Sequence, residues 1–199
     1  MEVQILPNTI TLENEKVLLR PLEISDIDHL LEFSLHEPEI WKYSLAQGSG
    51  KENMIKYIYD AVLARASNKE YSFIVLDKIK NKYAGSTRFY DIQLPYKTIQ
   101  LGYTWYGKEF QGTGLNKNCK YLLLEYAFEI LQLERVEFRA DNRNERSKAA
   151  MLSIGCKVDG ILRSNLPDNA GGRRDSIILS ILRNEWFSDV KQILLKKLM

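Results

Sequence analysis

The chain has 199 residues, 45% of them hydrophobic, which is enough for one domain with a real core and too little for two large ones. Lysine and arginine number 28 against 26 acidic residues, and a net charge of +2 gives no field strong enough to imply nucleic acid or an anionic membrane as partner. The two cysteines, Cys119 and Cys156, have neither metal-ligand nor CxxC spacing, so they read as core residues of a reducing compartment rather than a disulfide framework.

The first residues, MEVQILPNTITLENEK, carry Glu2 where a secretory signal needs positive charge, and their apolar run stops at Pro7. No stretch reaches the roughly 18 apolar residues of a membrane span, so the expectation is a soluble, cytoplasmic protein. Val17 to Glu23 reads as a strand, followed by a helix capped at Ser25 that carries Ile27, Leu30, Leu31 and Phe33. After a loop with Pro38, Trp41 and Tyr43, residues 51–65 repeat apolar side chains at helical spacing. YSFIVLD and KYAGSTRFYDI then form a hairpin around KIKNK, and TIQLGYTWY alternates so that Ile99, Leu101, Tyr103 and Trp105 share one face.

Beyond the glycines at 112 and 114, Cys119, Leu122, Leu123, Tyr126, Ala127, Ile130 and Leu131 line one helical face, with Lys120, Glu125 and Glu129 on the other. LERVEFRAD alternates as a strand, NERSKAAMLSIG is a short helix closed by Gly155, and RDSIILSIL is a buried strand. From Asn184, a stripe of Trp186, Val190, Ile193 and Leu194 among lysines predicts a docked terminal helix. This order of elements is that of a mixed α/β domain around a single sheet.

The stretch from Phe110 to Lys120, FQGTGLNKNCK, places two glycines at the mouth of a helix and contains no carboxylate. Glycine admits positive φ and close approach of a ligand to the main chain, and the helix start offers unpaired N–H groups and a positive dipole end. The dipole contributes about 0.3–1 kcal/mol, whereas a micromolar ligand needs about 8, so charge-assisted bonds of about 1.5–3 kcal/mol each must do most of the holding of an anion. A Walker A loop is excluded because Thr113 stands where its lysine should be, and a dinucleotide fingerprint because Lys117 replaces its third glycine. A tight strand-to-helix turn without any ligand remains the alternative for this stretch alone.

The segment QGTGLN, Gln111 to Asn116, resembles the Q/R-x-x-G-x-G/A pyrophosphate loop of the GNAT superfamily of N-acetyltransferases, with Asn116 in place of the last small residue. DNRNERSKAAMLSIGCKVDGILR resembles the ribosomal-protein N-terminal, RimJ/RimL-like branch, in which Asp141, Asn144 and Ser147 fall on a D-x-x-N-x-x-S pattern. VLLRPLEISDIDHL matches the family's first strand and helix, so the resemblance runs from about Val17 to about Trp186. It implies one acetyltransferase domain over 1–199, with a core of about 17–182 and a terminal helix of about 184–198. The implied fold is a mostly antiparallel twisted sheet of six or seven strands, splayed between the fourth and fifth, with helices on both faces.

The resemblance further implies acetyl-CoA as donor, its diphosphate on the amides of Gln111, Gly112, Thr113, Gly114, Leu115 and Asn116. Its pantetheine arm would pair at Trp105 and Tyr106 in the gap between GYTWY and RVEFRAD, because edge pairing needs free main-chain groups. Asn144 would hold a pantetheine amide or else cap a helix. The family's usual tyrosine acid is replaced by Met151, which leaves Ser147 as the implied proton donor, its alternative being an ordinary helix-surface serine. His29 and His36 lie far from the loop in sequence, and Glu39 and Asp168 are the candidates for a base.

An α-amine with pKa near 8 costs about 1.4 kcal/mol to deprotonate at neutral pH, while a lysine amine near 10.4 costs about 4.6, so a site without a strong base suits an α-amine. Trp41, Tyr43, Arg88 and Tyr90 are expected to line a pocket for a peptide or small amine. The expected reaction is direct attack in a ternary complex, with no metal and no acyl-enzyme. A protein N-terminus is the first acceptor, with a polyamine, amino acid or aminoglycoside as alternative within the class, and a non-catalytic acyl-CoA sensor as the rival from another class. The family also implies a homodimer.

Overall fold

Long runs of β-branched and aromatic residues build a continuous sheet through the middle of the chain. The computed structural model describes residues 6–7, 9–169 and 171–198, so Glu2 and the signal-peptide reading built on it lie outside the described residues. Eight strands pair in the order β1 (Leu12–Glu13), β2 (Val17–Pro21), β3 (Tyr71–Asp77), β4 (Lys82–Gln93), β5 (Thr98–Tyr106), β6 (Arg135–Asp141), β8 (Arg173–Leu182) and β7 (Lys157–Pro167). All neighbours are antiparallel except β5 and β6. The count exceeds six or seven because the two-residue β1 was too short to show a period, and β7, largely exposed on both faces, has no buried stripe.

Helices α1 (Ile27–His36) and α2 (Lys51–Ala66) cover one face, where Leu30, Trp41, Met54, Ile58 and Trp105 form a buried cluster with Ile74. The larger core on the other face joins α3 (Leu115–Glu125) and α4 (Glu145–Ser153) to the sheet through Leu123, Met151, Val136, Phe138 and Leu179. The terminal segment of α5 (Arg183–Glu185), a π turn (Trp186–Val190) and α6 (Lys191–Lys196) docks there too. Trp186 stacks on Phe128 with ring centroids 5.7 Å apart and donates from Nε1 to Glu129. Among the described residues no helix is long and apolar enough to cross a membrane.

Four sequence expectations are corrected by local geometry. The helix before residue 36 begins with a 3-10 turn at Ile24–Asp26, and the Asp26 carboxylate, not Ser25, accepts the Glu23 N–H while a bidentate bond from Arg20 holds it in place. A π turn at Tyr126–Ile130 continues α3 and rotates Ile130 out of the apolar stripe, leaving it exposed. The π turn at Trp186–Val190 does the same for Ile193, while Trp186, Val190 and Leu194 stay buried. Lys120, assigned by helical spacing to the solvent face, is only 5% exposed.

Trp41 props the loop between α1 and α2 against the sheet, 4.9 Å from the Trp105 ring and 5.6 Å from that of Tyr57. Trp41→Ala is therefore expected to cost about 3–5 kcal/mol of unfolding free energy, the usual loss for a fully buried indole, measured by urea denaturation.

Candidate active site

The parallel pairing of β5 with β6 covers only Thr98 to Gln100 against Arg135 to Glu137. Beyond that point β5 runs on to Tyr106 and β6 to Asp141 without pairing each other, so the sheet opens into a fork. On its far side β5 loses register with β4: Ser86 faces Trp105 and Arg88 faces Gly102, so Thr87 alone opposes both Tyr103 and Thr104. This is a β-bulge, and Tyr103 sits in the left-handed region at φ 49° to make it. The extra residue reverses the alternation, which corrects the expected four-residue face. Ile99 and Leu101 belong to the α3 side, whereas Trp105 belongs to the α1/α2 side and donates from its indole to the Tyr57 hydroxyl at 3.2 Å.

At the end of β5 the chain turns through Lys108–Phe110 into the glycine stretch. Gly112 and Gly114 take φ values of 76° and 89°, and a Cβ on either would meet no atom within 4 Å. Both are needed for backbone shape, and the space beside them is open. Thr113 donates to the Phe110 carbonyl at 2.8 Å and accepts the Leu115 N–H at 3.4 Å. The N–H groups of Gly112, Thr113, Gly114, Asn116 and Lys117 have no acceptor among the described residues. The Gln111 N–H is not free, since it donates to Lys108, and Leu115 is spent on Thr113. The donors cluster at the start of an eleven-residue helix, the arrangement that suits an anion.

Gln111 does a different job from the one its main chain was assigned. Its Nε2 donates to the Tyr106 carbonyl at 2.8 Å, and its Oε1 accepts from Arg146 at 2.5 Å, tying the loop to the end of β5 and to α4. Of the main-chain groups predicted to meet an added strand, the Tyr106 carbonyl thus already has one partner. Asn144 is the N-cap of α4: its Oδ1 accepts the Ser147 N–H at 3.1 Å, and its Nδ2 has no partner among the described residues. The half-buried Ser147 hydroxyl likewise has none. Arg146 therefore brings Gln111 and the Asn144–Ser147 turn to one end of the fork, a link whose only sequence signal was its place inside the D-x-x-N-x-x-S run.

Other predicted residues fall elsewhere. Arg88 is buried, bonded to Glu70 at 2.6 Å and held between the rings of Tyr57 and Tyr103, so it does not line an open pocket. Tyr90 packs edge-on against Tyr103. His29 lies exposed against Tyr83, and His36 is exposed at the end of α1. Glu39 is ion-paired with Lys108, which holds its carboxyl below the usual range, and Asp168 is bonded to Arg143 at 3.1 Å and to the Gly172 N–H at 2.8 Å. An open cleft of about 610 Å³ lies between the α1–α2 loop and the β7–β8 turn, lined in part by Trp41, Tyr43, Gln47, Arg143, Asp168 and Asn169. Both cysteines are free and buried, and burial pushes the Cys119 thiol up to about 12.

The family description "Acetyltransferase (GNAT) domain" matches residues 16–157. The chain belongs to the GNAT acetyltransferases. It is 27% identical over 180 residues to a putative ribosomal N-acetyltransferase, YdaF, of Bacillus subtilis strain 168, covering 87% of this chain and 94% of that one. Spermidine N(1)-acetyltransferase of Escherichia coli K12 is 24% identical over 183 residues, covering 90% and 95%. A crystal structure of a putative acetyltransferase from T. thermophilus superposes with a TM-score of 0.87 at 29% identity, covering 99% of this chain and all of that one. The acetyltransferase thus has acetyl-CoA as its co-substrate, and the free amides and open space at Gly112 and Gly114 fit a diphosphate.

Gly114→Ala tests the backbone part of this geometry. The added methyl has room, so the expected cost is conformational, about 1–2 kcal/mol in unfolding free energy, with no change in the rest of the fold.

Proposed function

We propose that this acetyltransferase acts on the α-amine of a protein N-terminus. The observation that carries the reading is the charge state of the cleft beside Asn144. Its carboxylate Asp168 is engaged by Arg143 and the Gly172 amide, and nearby Glu39 by Lys108. A polyamine would need unpaired negative charge there, and a lysine would need a strong base. The remaining wall offers Trp41, Tyr43, Gln47 and Asn169, the mix of flat rings and amides that suits a peptide main chain.

On this reading the N–H groups of Gly112, Thr113, Gly114, Asn116 and Lys117 hold the donor's diphosphate. The unpaired edge of β5 near Trp105 and the Asn144 Nδ2 hold its pantetheine arm. Bound there, the thioester supplies the acetyl group and a thiol leaving group. The α-amine, having lost one proton to solvent near pH 8, attacks the thioester carbon; as the C–S bond breaks, the Ser147 hydroxyl passes a proton to the departing sulfur and regains one from the newly acylated nitrogen.

Thiol release from acetyl-CoA tests the assignment with three acceptors: a peptide with a free N-terminus, the same peptide N-terminally blocked with an internal lysine, and spermidine. The first is expected to be the substrate, and preference for spermidine would overturn the reading. Ser147→Ala should lower kcat by roughly 10²–10⁴ while acetyl-CoA affinity holds, the usual span for a lost general acid. Asn144→Ala should weaken acetyl-CoA about five- to tenfold, the worth of one hydrogen bond. Unchanged kcat in the serine variant would remove Ser147 from the mechanism.

A further inference from the structure

We infer that Lys120 is a positioning residue for the donor: its ammonium pins the two threonines astride the β5 bulge and sets a positive charge at the back of the fork. The inference rests on the proposal that the carrier's arm lies in that fork. Lys120 stands in the second turn of α3 and reaches up to the sheet, where its Nζ donates to Thr104 at 2.7 Å and to Thr87 at 3.2 Å. The two hydroxyls are themselves 2.7 Å apart. Thr87 is the residue that faces two partners across the bulge, and Thr104 is one of those partners. The same Nζ lies 5.9 Å from the centre of the Phe138 ring on β6, so it spans both arms of the fork.

Stability does not account for this lysine. Among the described residues no carboxylate pairs with it, and its hydrogen-bond partners are neutral hydroxyls. The titratable groups that act on it are the thiols of Cys119 on its own helix and Cys156 before β7, both raised by burial and uncharged near neutral pH. The Tyr106 hydroxyl on β5, which acts on Cys119, is pushed well above its ordinary value for the same reason. Burial lowers the Lys120 amine to about 8. A buried cation without a counter-charge destabilises a fold, and methionine would fill the same volume while leaving the threonine pair intact. A group that costs stability and braces the strand edge where the carrier's arm is proposed to bind acts on that binding.

Titration calorimetry with the full chain separates this from a structural role, using acetyl-CoA and 3′-phospho-adenosine 5′-diphosphate, the carrier without its arm. Lys120→Met should unfold at higher urea than the unaltered protein yet bind acetyl-CoA about tenfold more weakly, the loss of one charge-assisted hydrogen bond's support. The truncated carrier should lose far less affinity than acetyl-CoA does, because Lys120 bonds the two threonines at the fork and none of the loop's groups. The ammonium is present below its pKa and lost above it. Acetyl-CoA affinity of the unaltered protein should therefore fall between about pH 7 and 10, by about tenfold for a one-unit rise of the Lys120 pKa on binding. Lys120→Arg should keep the low-pH affinity and lose the pH dependence.

Equal, pH-independent acetyl-CoA binding by the unaltered protein and the methionine variant would overturn the inference. So would a less stable methionine variant with both probes weakened in parallel. Should that variant fail to fold, the arginine variant and the pH series decide alone. Failure of the truncated carrier to bind the unaltered protein would overturn the phosphate-loop assignment instead.

Discussion

The bulge on β5 is the constraint from which the site follows. β6 is held by β8 along its whole length, from Arg135 opposite Leu182 to Asp141 opposite Ser176, so it cannot bend to follow a neighbour. β5 carries one residue more than β4 across Thr87, and an inserted residue bends and twists its strand. The two requirements are incompatible beyond Gln100, and the parallel pair parts there. Main-chain groups that a continuous sheet would have consumed are left along an internal edge, where an extended ligand can pair.

Because β5 and β6 are parallel, both run out at the same end of the fork, and each is followed by a helix. The starts of α3, with its unpaired N–H groups, and of α4, with its Asn144 cap, therefore stand side by side at the carboxyl ends of the parting strands, both with positive dipole ends. Open sheets offer a crevice for ligands at such a switch between strands. Gln111 and Arg146 fix the spacing of the two helix starts through a shared hydrogen bond, and Gln111 also grips the last carbonyl of β5. One short side chain thus sets three elements around the site.

Much of this was legible because it is local. The glycines at 112 and 114 occupy the positive φ values that their pattern suggested, Asn144 caps the helix it precedes, and Gly155 closes that helix at φ 99°. The segments that form the fork were readable from their period-2 alternation. What stayed hidden depends on one residue too many. A bulge at Tyr103 reverses the faces of Thr104 and Trp105, and π turns rotate Ile130 and Ile193 outward, none of which leaves a compositional trace. Lys120 was misplaced for a related reason: helical spacing gives the direction of a side chain, but not whether sheet hydroxyls wait there to receive an amine. Arg88 is a pocket residue by type, yet the same chemistry lets it pack into the core, whereas Trp41 both packs on Trp105 and lines the cleft.

The two functions weighed for Asn144 do not compete, because they fall on different atoms. Its carbonyl oxygen accepts the Ser147 amide, and its two Nδ2 hydrogens remain without a partner among the described residues. Aspartate would cap the helix equally well but offer no donor at ordinary pH, and serine would keep one hydroxyl hydrogen in place of two amide hydrogens. Asparagine alone among these caps can hold the helix start and still present two hydrogens to a ligand carbonyl. The cap also fixes the Ser147 backbone one turn away, so the hydroxyl proposed to meet the leaving sulfur and the amide proposed to hold the arm sit at a set separation. A donor bound to one would thereby be placed in register with the other, as the role proposed for Ser147 in place of the family's tyrosine requires.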